Sequence, residues 1–373
     1  HRHHQRNHRV ADLQPLQQHT LDEAAHWVDH SQHAMGGHLG IRVTLTDALN
    51  ESGERVLRNV MQQIGARVDT WAALLTRHHA SQLTRLNEAS GAAVRVGPTM
   101  AALLTWSADA WEATGGLVNI AMLDERLAAE TGTPTRGQAL SRDWRLELTH
   151  WRHEDHAHLR GGLLHRPEGL RFDLDGVGKG WIADRAAALL ARILDTNVRA
   201  GEIPEWSSCF VDGDGDIAIQ NRGGAETEVR IEIPRASEST IGAIRVSGSS
   251  AGIATSGTGV HHWGGRHHII DPQTGAPADS GIAQATVVAE SAREAEAWAK
   301  SIVIGGAALI RRAEAAGVRR IVAVQTNGKI ISAPALEPLN ARNQYTPHSA
   351  LEEDVAAASA SAAAATDATV STI

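Results

Sequence analysis

Helical patterns dominate the first half of the central region of the chain, and short strand patterns dominate the second half. Apolar residues recur at three- to four-residue steps over residues 52–76, and Pro98 opens a second helical pattern over 98–113. Similar patterns predict helices over 181–194 and 293–304. Because amphipathic helices must bury one face, helices followed by hairpins predict an α+β fold with a mixed, largely antiparallel sheet and flanking helices.

The predicted strands are short. Residues 40–46 alternate between apolar and polar side chains, as expected of a strand with one buried face. Asn327 and Gly328 stand between two strand patterns, over 319–325 and 329–332, and predict a tight hairpin. The other strand predictions cover residues 208–211, 216–220, 228–233, 243–246 and 286–289.

Composition limits the class of protein. The 373 residues include 35 basic and 43 acidic side chains, so the net charge is −8. Nucleic-acid binding is therefore not expected, because binding to a phosphate backbone needs clustered positive charge. The sequence contains no uncharged apolar run of about 18 residues, so a membrane-spanning helix is not expected. Ten Trp, one Tyr and two Phe leave few rings to stack on a planar ligand, and Ala, Leu, Val and Ile must fill the core.

The two ends of the chain differ in composition from the centre. Residues 1–30 are predicted to be a disordered His-rich arm, and residues 346–373 a disordered tail rich in Ala and Ser. The folded domain is predicted to cover residues 31–345. The lone Cys209 excludes an internal disulfide. No leader is visible, which favours a cytoplasmic location, although an extracytoplasmic one stays open if a signal was removed.

The segment from Asp173 to Trp181 is rich in glycine and leads into a predicted helix. Glycines let the backbone approach a ligand, and the N-terminus of the helix presents unpaired N–H groups and a positive dipole end. With Lys179 among them, these features are typical of a phosphate or pyrophosphate site; a plain tight turn is the alternative. The glycine spacing matches neither a P-loop nor a dinucleotide-binding fingerprint.

Two further polar segments follow. Residues 212–216 alternate Asp with Gly, but the Gly and Glu positions of an EF-hand loop hold other residues, so a bend between strands is favoured over a calcium site. Residues 254–257 and 261–275 contain hydroxyls and paired histidines. A zinc-dependent hydrolase is one interpretation of these histidines, yet they lack helical ligand spacing, and a ligand-binding wall between strands is favoured.

The order of these segments resembles the FAD:protein FMN transferase (ApbE) family. Asp-x-x-Gly-x-Gly-Lys-Gly-Trp begins at residue 173, Asp-Gly-Asp-Gly-Asp-Ile at 212, Ala-Thr-Ser-Gly at 254 and His-Ile-Ile-Asp-Pro-Gln-Thr-Gly at 268. Residues 34–37, 81–87 and 114–119 are also similar to the family's motifs, so that the resemblance covers about 33–332.

The resemblance implies that residues 31–345 form a flavin transferase domain. Such proteins cleave the pyrophosphate of FAD and transfer FMN to a Thr or Ser of an acceptor flavoprotein, with release of AMP, or hydrolyse FAD to FMN and AMP. The family's acceptor motif is Asp-Gly/Ala-x-Ser/Thr-Gly/Ala-Thr. The alternative is a non-catalytic member that binds FAD or another nucleotide and has lost metal-dependent turnover.

Site residues follow from the same motifs. The resemblance implies His268 and Lys179 as catalytic residues, and Mg²⁺ held by the Gly176 carbonyl and the Glu296 carboxylate. His268, a carboxylate and solvent are the candidates for the general base. The residues implied to contact FAD are Met35, Leu117, Val118, Asn119, Asp173, Lys179, Thr255, Ser256, Gly257, His268, Ile270 and Asp271.

The chain departs from the family where the metal ligands are expected. The family's Ala-Asp-x-x-x-Thr segment is represented by residues 295–300, in which Glu296 keeps a carboxylate but Lys300 replaces the hydroxyl. Glu296 and Lys300 are spaced for an ion pair along one helix. Alternatively, Lys300 points into the site as a catalytic residue and replaces part of the role of Mg²⁺. Arg77 stands where relatives have an aromatic residue, and Asn119 stands where they have Asp.

Overall fold

The helices and strands were assigned in a computed structural model, which describes residues 26–133, 142–150, 160–232, 240–259 and 261–334. The helices are α1 (Glu51–Leu75), α2 (Gln82–Glu88), α3 (Pro98–Thr114), α4 (Leu123–Thr131), α5 (Lys179–Arg199), α6 (Ala292–Gly305) and α7 (Leu309–Ala315). The strands are β1 (His26–Ala34), β2 (Gly37–Leu45), β3 (Ala93–Val96), β4 (Arg145–His150), β5 (Arg160–His165), β6 (Trp206–Gly213), β7 (Ile217–Asn221), β8 (Thr227–Glu232), β9 (Thr240–Val246), β10 (Ser250–Gly257), β11 (His262–Trp263), β12 (Arg266–His267), β13 (Ile282–Ala289), β14 (Arg320–Gln325) and β15 (Ile330–Ala333).

A large antiparallel sheet organises the fold. Its eight strands lie in the order β1-β2-β6-β7-β10-β13-β14-β15, and every neighbouring pair is antiparallel. Smaller sheets are formed by β3-β5-β4, by β8 with β9 and by β11 with β12. The predicted α+β fold with largely antiparallel pairing is confirmed, and so are the predicted helices α1, α3, α5 and α6.

Apolar side chains cover both faces of the large sheet. On one face, α1 and α5 pack against the β1–β2–β6 half, and α6 packs against the β10–β13 half. On the other face, the β8–β9 hairpin contributes Val229, Ile244 and Val246 to a cluster with Phe210 and Ile219 of the sheet. The two groups of helices therefore meet where α5 contacts α6. The glycine-rich turn, residues 173–178, leads directly into the start of α5.

The elements form where local chemistry predicts them. Asn50 caps α1 by accepting a hydrogen bond from the Gly53 N–H at 2.8 Å, and the apolar face of the helix is buried. Cys209 lies in β6 with no exposed surface, and burial raises the pKa of its thiol. No helix in the described ranges combines the length and apolarity that a bilayer crossing requires.

One boundary differs from the sequence prediction. Strand β1 begins at His26 and pairs with β2 along its whole length, so residues 26–30 of the predicted arm belong to the sheet. Exposed and partly buried residues alternate along β1, but most of the residues at both kinds of position are polar. The sequence therefore lacks the alternation of apolar and polar side chains that predicts a strand. The rest of the predicted arm, residues 1–25, and the predicted tail, residues 346–373, lie outside the described residues.

Candidate active site

The start of α5 is fixed against the start of α6. The Gly180 N–H donates to Glu296 Oε2 at 3.1 Å, and a methyl group added to Gly180 would lie 2.6 Å from the Ala292 carbonyl oxygen. The Asp184 carboxylate accepts hydrogen bonds from the N–H groups of Ala292, at 2.8 Å, and Arg293, at 3.1 Å. Only glycine at position 180 permits this approach, which brings Lys179 and Glu296 to the same end of the two helices.

Lys179 faces the turn between β6 and β7. Its Nζ atom lies 3.6 Å from Asp214 Oδ2 and 3.4 Å from the Asp214 carbonyl oxygen. Burial would lower the pKa of Lys179, but Asp216 and Asp214 raise it. Burial raises the pKa of Asp216 to about 7, although Lys179 opposes the shift. The predicted bend at residues 212–216 is thus confirmed as a β-hairpin turn, and its carboxylates also surround Lys179.

The β1–β2 turn reaches the same place. Met35 adopts a φ of 53°, and its Cε atom would lie 2.9 Å from a methyl group added to Gly213. A left-handed backbone is uncommon for a residue with a side chain, so the turn holds Met35 in this position at some conformational cost. Asp214 Oδ1 accepts a hydrogen bond from the His38 N–H at 3.3 Å. A methyl group added to Gly213 would also lie 3.6 Å from the Lys179 carbonyl oxygen, so the predicted FAD-contacting Met35 and the start of α5 both lie against Gly213.

The side chain of Lys300 reaches the glycine-rich turn. Its Nζ atom donates a hydrogen bond to the Asp175 carbonyl oxygen at 3.2 Å, and a side chain at Gly176 would overlap the ammonium group. Among the described residues, no ion pair within 4.0 Å joins Glu296 to Lys300. Of the two interpretations of Lys300, the ion pair along the helix is therefore wrong, and the side chain points into the site.

Two arginines of neighbouring segments also interact near this turn. Arg126 donates to the His268 carbonyl oxygen at 2.8 Å, and its guanidinium lies 3.6 Å from Asp175 Oδ2. Arg126 and Arg77 both bind the Glu130 carboxylate, at 3.0 Å and 2.5 Å. The Arg126 guanidinium also stacks over the Trp263 ring, 4.9 Å from its centroid. These contacts connect α4 to the polar segment at 261–275.

The two carboxylates of the turn respond oppositely to these charges. Burial, and then the charge of Asp175, raise the pKa of Asp173. For Asp175, burial also favours the neutral acid, but Arg126 and Lys300 lower its pKa below the usual value. Asp175 is therefore an anion at neutral pH, whereas Asp173 takes up a proton more readily.

His268 is neutral at physiological pH. Burial, and then the charges of Lys300 and Arg126, lower its pKa to about 3. Its ring meets that of His261 edge to face, with a centroid distance of 5.3 Å. Within the described residues, no group of three His, Cys, Asp or Glu side chains could hold a metal ion, so the zinc interpretation of these histidines has no structural support there.

The other predicted site residues lie at varying distances from these charges. Asn119 belongs to the segment whose Ile120 carbonyl accepts a hydrogen bond from Asp173, and its Nδ2 atom is buried without a partner. Val118 is only 2 % exposed, and its predicted contact with FAD would need the backbone. In the described part of the chain, no hydrogen bond or ion pair joins Leu117, Thr255, Ser256, Gly257, Ile270 or Asp271 to the charged groups at the glycine-rich turn.

Sequence reasoning missed several residues of the site. Arg126 and Glu130 lie on α4, in a segment without any motif, and Trp263 lies in a two-residue strand. Asp175 stands inside the quoted motif, two residues after Asp173, and its alternation with Asp173 was the signal that could have identified it. The result is a site in which Lys300 and Arg126 contact the glycine-rich turn, Lys179 follows it in the chain, and the charge of Arg77 acts on Asp173. Such a site can bind a phosphate or pyrophosphate group.

Comparisons with known proteins found a matching family model and several relatives. The model of the ApbE family matches residues 35–319 of the chain. FAD:protein FMN transferases from Escherichia coli and Salmonella typhimurium are 32 % and 33 % identical to the chain over 145 and 141 residues. Each of these alignments covers 37 % of this chain and 37 % of the relative, so the chain matches little more than a third of the length of these relatives.

Solved structures share the fold at low sequence identity. The ApbE protein from Thermotoga maritima has a TM-score of 0.63 and 19 % identity, over 82 % of this chain and 96 % of that chain. The flavin transferase ApbE from Vibrio cholerae has a TM-score of 0.60 and 19 % identity, over 83 % of this chain and 96 % of that chain. At this level of identity, the similarity concerns the fold.

Proposed function

The chain belongs to the ApbE family, and from this premise we propose that it is an FAD:protein FMN transferase. The observation that carries the proposal is that Lys179, Lys300 and Arg126 all lie at the glycine-rich segment, where a pyrophosphate would find positive charge. The named activity of the relatives supports a transferase over a non-catalytic FAD-binding protein.

The proposed reaction transfers FMN to a hydroxyl of an acceptor flavoprotein. The Thr or Ser oxygen attacks the phosphorus of the FMN half, a new oxygen–phosphorus bond forms, and the bridging bond of the pyrophosphate breaks. AMP leaves with the electron pair of that bond. Phosphoryl transfer depends mainly on positioning and on charge neutralisation, and the cations of this site supply both. Hydrolysis to FMN and AMP follows when water replaces the hydroxyl.

The acceptor hydroxyl must lose its proton during this step. The low pKa of His268 makes its neutral imidazole a weak base. Asp173 is better suited to accept the proton, because burial raises the pKa of its carboxyl and so makes its carboxylate a stronger base. We therefore assign the proton transfer to Asp173 and a role in FAD binding to His268. The other residues that the motifs imply to contact FAD form the rest of the proposed FAD site.

The cation set of the reaction has two candidates. Mg²⁺, with Gly176 and Glu296 as its ligands, is the one that the family resemblance implies, and the ammonium of Lys300 is the other. The proposed acceptor is a flavoprotein that carries the family's acceptor motif in an accessible segment and presents the Thr or Ser of that motif.

Incubation with FAD and an acceptor tests the function. The protein is incubated with FAD, with and without MgCl₂, and with a flavoprotein that contains the acceptor motif. We expect a fluorescent flavinylated band in a denaturing gel and one AMP released per FMN transferred. The matched control is the same acceptor with its motif Thr changed to Ala, which should release no AMP beyond hydrolysis. Failure to form either product under both conditions would overturn the proposal.

A further inference from the structure

We infer that the ammonium of Lys300 takes the place of the divalent cation in this protein, so that it binds FAD and transfers FMN without a metal ion. The inference rests on the proposed function and concerns the cation that neutralises the pyrophosphate. It is carried by the position of Lys300 against the glycine-rich turn and by the donor groups that surround this position.

The first observation is the place that the ammonium occupies. Lys300 extends from α6 across to the turn, where Nζ lies 3.2 Å from the Asp175 carbonyl oxygen and directly against Gly176. This turn is the one whose backbone carbonyl the resemblance assigns to the metal. A cation bound there would share its position with a covalently attached positive charge.

The second observation is that the donor set does not fit a divalent cation. Mg²⁺ requires nearly octahedral coordination by oxygen atoms, usually with one or two carboxylates among them. The carboxylate of Glu296 is 4 % exposed and accepts a hydrogen bond from the Gly180 N–H. The second side chain implied for the metal, a hydroxyl, is replaced by Lys300.

Electrostatics argue in the same direction. An ammonium and a divalent cation within about 4 Å of each other repel strongly, even at the effective dielectric constant of a protein surface. Burial lowers the pKa of Lys300, and the charges of Asp173, Asp175 and Glu296 oppose this shift and so favour its ammonium form. The Arg126 guanidinium lies 3.6 Å from Asp175 Oδ2. These carboxylates favour one positive charge at the turn, and Lys300 already provides it.

The remaining donors of Lys300 suit a phosphate ligand. An ammonium has three N–H donors, and within the described residues only the one directed at the Asp175 carbonyl is used. Two N–H groups are left for the non-bridging oxygens of a pyrophosphate. Lys300 is not consumed in the reaction: the oxygen–phosphorus bond that forms and the bridging bond that breaks are those of the transfer described above, and the ammonium only neutralises charge.

Substitution of Lys300 combined with metal removal tests the inference. FAD affinity is measured by calorimetry and AMP release by chromatography, in excess EDTA and in excess MgCl₂, for the wild type, Lys300→Met, Lys300→Arg and Lys300→Thr. Lys329→Met is the matched control, because Lys329 is an exposed lysine in the β14–β15 hairpin, far along the chain from the site. Thermal melting verifies that each variant is folded.

For the wild type, we expect FAD affinity and AMP release to change by less than about twofold between EDTA and MgCl₂. Lys300→Met should lower AMP release by about 10²–10³-fold, the effect of removing one charge-stabilising donor, and MgCl₂ should not restore it. Lys300→Arg should keep metal independence, and Lys300→Thr should become dependent on Mg²⁺. Lys329→Met should behave like the wild type.

The failure of this inference differs from the failure of the proposed function. If EDTA abolishes AMP release or FAD binding by the wild type, the protein uses a metal and the inference is wrong, while the transferase stands. If FAD binds but no AMP forms under any condition, the proposed transferase activity is wrong, and the inference is then decided by the binding measurements alone. In that case, an FAD affinity of Lys300→Met equal to that of the wild type overturns the cation role of Lys300. If FAD does not bind at all, both fail.

Discussion

Two groups of charges at the candidate site differ in their balance. The Lys179 group lies at the start of α5 and contains Lys179, Asp214, Asp216 and Glu296. The Lys300 group lies at the turn before α5 and contains Lys300, Arg126, Arg77, Asp173, Asp175 and Glu130. One cation faces three carboxylates in the first group, whereas three cations face three carboxylates in the second.

This difference assigns different tasks to two lysines in one site. Asp216 and Glu296 are 3 % and 4 % exposed, and burial raises the pKa of both carboxyls while the charge of Lys179 opposes this rise. Lys300 lies near the cations Arg126 and Arg77, and a bound anion would reduce the repulsion among these three charges. We propose that Lys179 stabilises the fold at the site in addition to its place in the pyrophosphate site, while the Lys300 group serves mainly to bind the pyrophosphate.

The largest effect on stability is expected from Arg126→Met. Arg126 is 5 % exposed and binds Glu130, Asp175 and the His268 carbonyl, so its removal leaves buried partners uncompensated. We expect a loss of about 3–5 kcal/mol in the free energy of unfolding, measured by urea denaturation. Arg95→Met, on an exposed position of β3, is the control and should cost less than about 0.5 kcal/mol. A loss for Arg126→Met no larger than that of the control would show that this group is not held together by the arginine.

A smaller loss is expected from Lys179→Met. The full cost of breaking a buried ion pair is about 3–5 kcal/mol, but the Lys179 side chain is 40 % exposed and water screens its charge, so we expect about 2 kcal/mol. Adding Asp216→Asn removes one of the carboxylates that Lys179 offsets. The double variant should therefore be more stable than Lys179→Met alone, and additive losses in this double-mutant cycle would contradict the structural role of Lys179.

The contact between the two helices gives the third prediction. Asp184→Ala removes the carboxylate that accepts two N–H groups at the start of α6, which is expected to cost about 1–2 kcal/mol. Because Asp184 touches neither lysine, the ratio of FAD affinity at low and high salt should stay as in the wild type. A change in that ratio would mean that the start of α6 also sets the position of Lys300.

The smallest effect is a change in the pH dependence of stability. The pKa of His268 is lowered from 6.5 to about 3, so the unfolded chain binds more protons than the folded one between these values. The contribution of His268 to stability is fully present above pH 6.5 and is lost as the pH falls toward 3. His268→Gln should therefore flatten the decline of the melting temperature between pH 6.5 and 4, and an unchanged decline would show that other groups cause it.

Much of the fold could be predicted from the sequence, because it depends on local patterns. The apolar periodicity of α1 and the Asn327-Gly328 turn between β14 and β15 are set by neighbouring residues. Strand β1 was missed since its polar side chains give no apolar alternation, and only its pairing with β2 makes it a strand.

The site was predictable where the chemistry lies in one segment. Lys179 and the glycines around it are contiguous, and Lys300 stood out as a departure from a motif. Arg126 could not be found in this way, because it meets the His268 carbonyl across 142 residues of sequence. Similarly, the alternating carboxylates at 212–216 looked like a solvated bend, and only the position of Lys179 gives them an electrostatic role.

The buried thiol of Cys209 has a consequence for experiments on all of these variants. A thiol reacts as its thiolate, and both the burial of Cys209 in β6 and its raised pKa suppress that form in the folded protein. The chain has no other cysteine. A thiol reagent can therefore label this sequence at one position only, and only when the central strands separate. The rate of labelling thus measures how often the large sheet opens at β6.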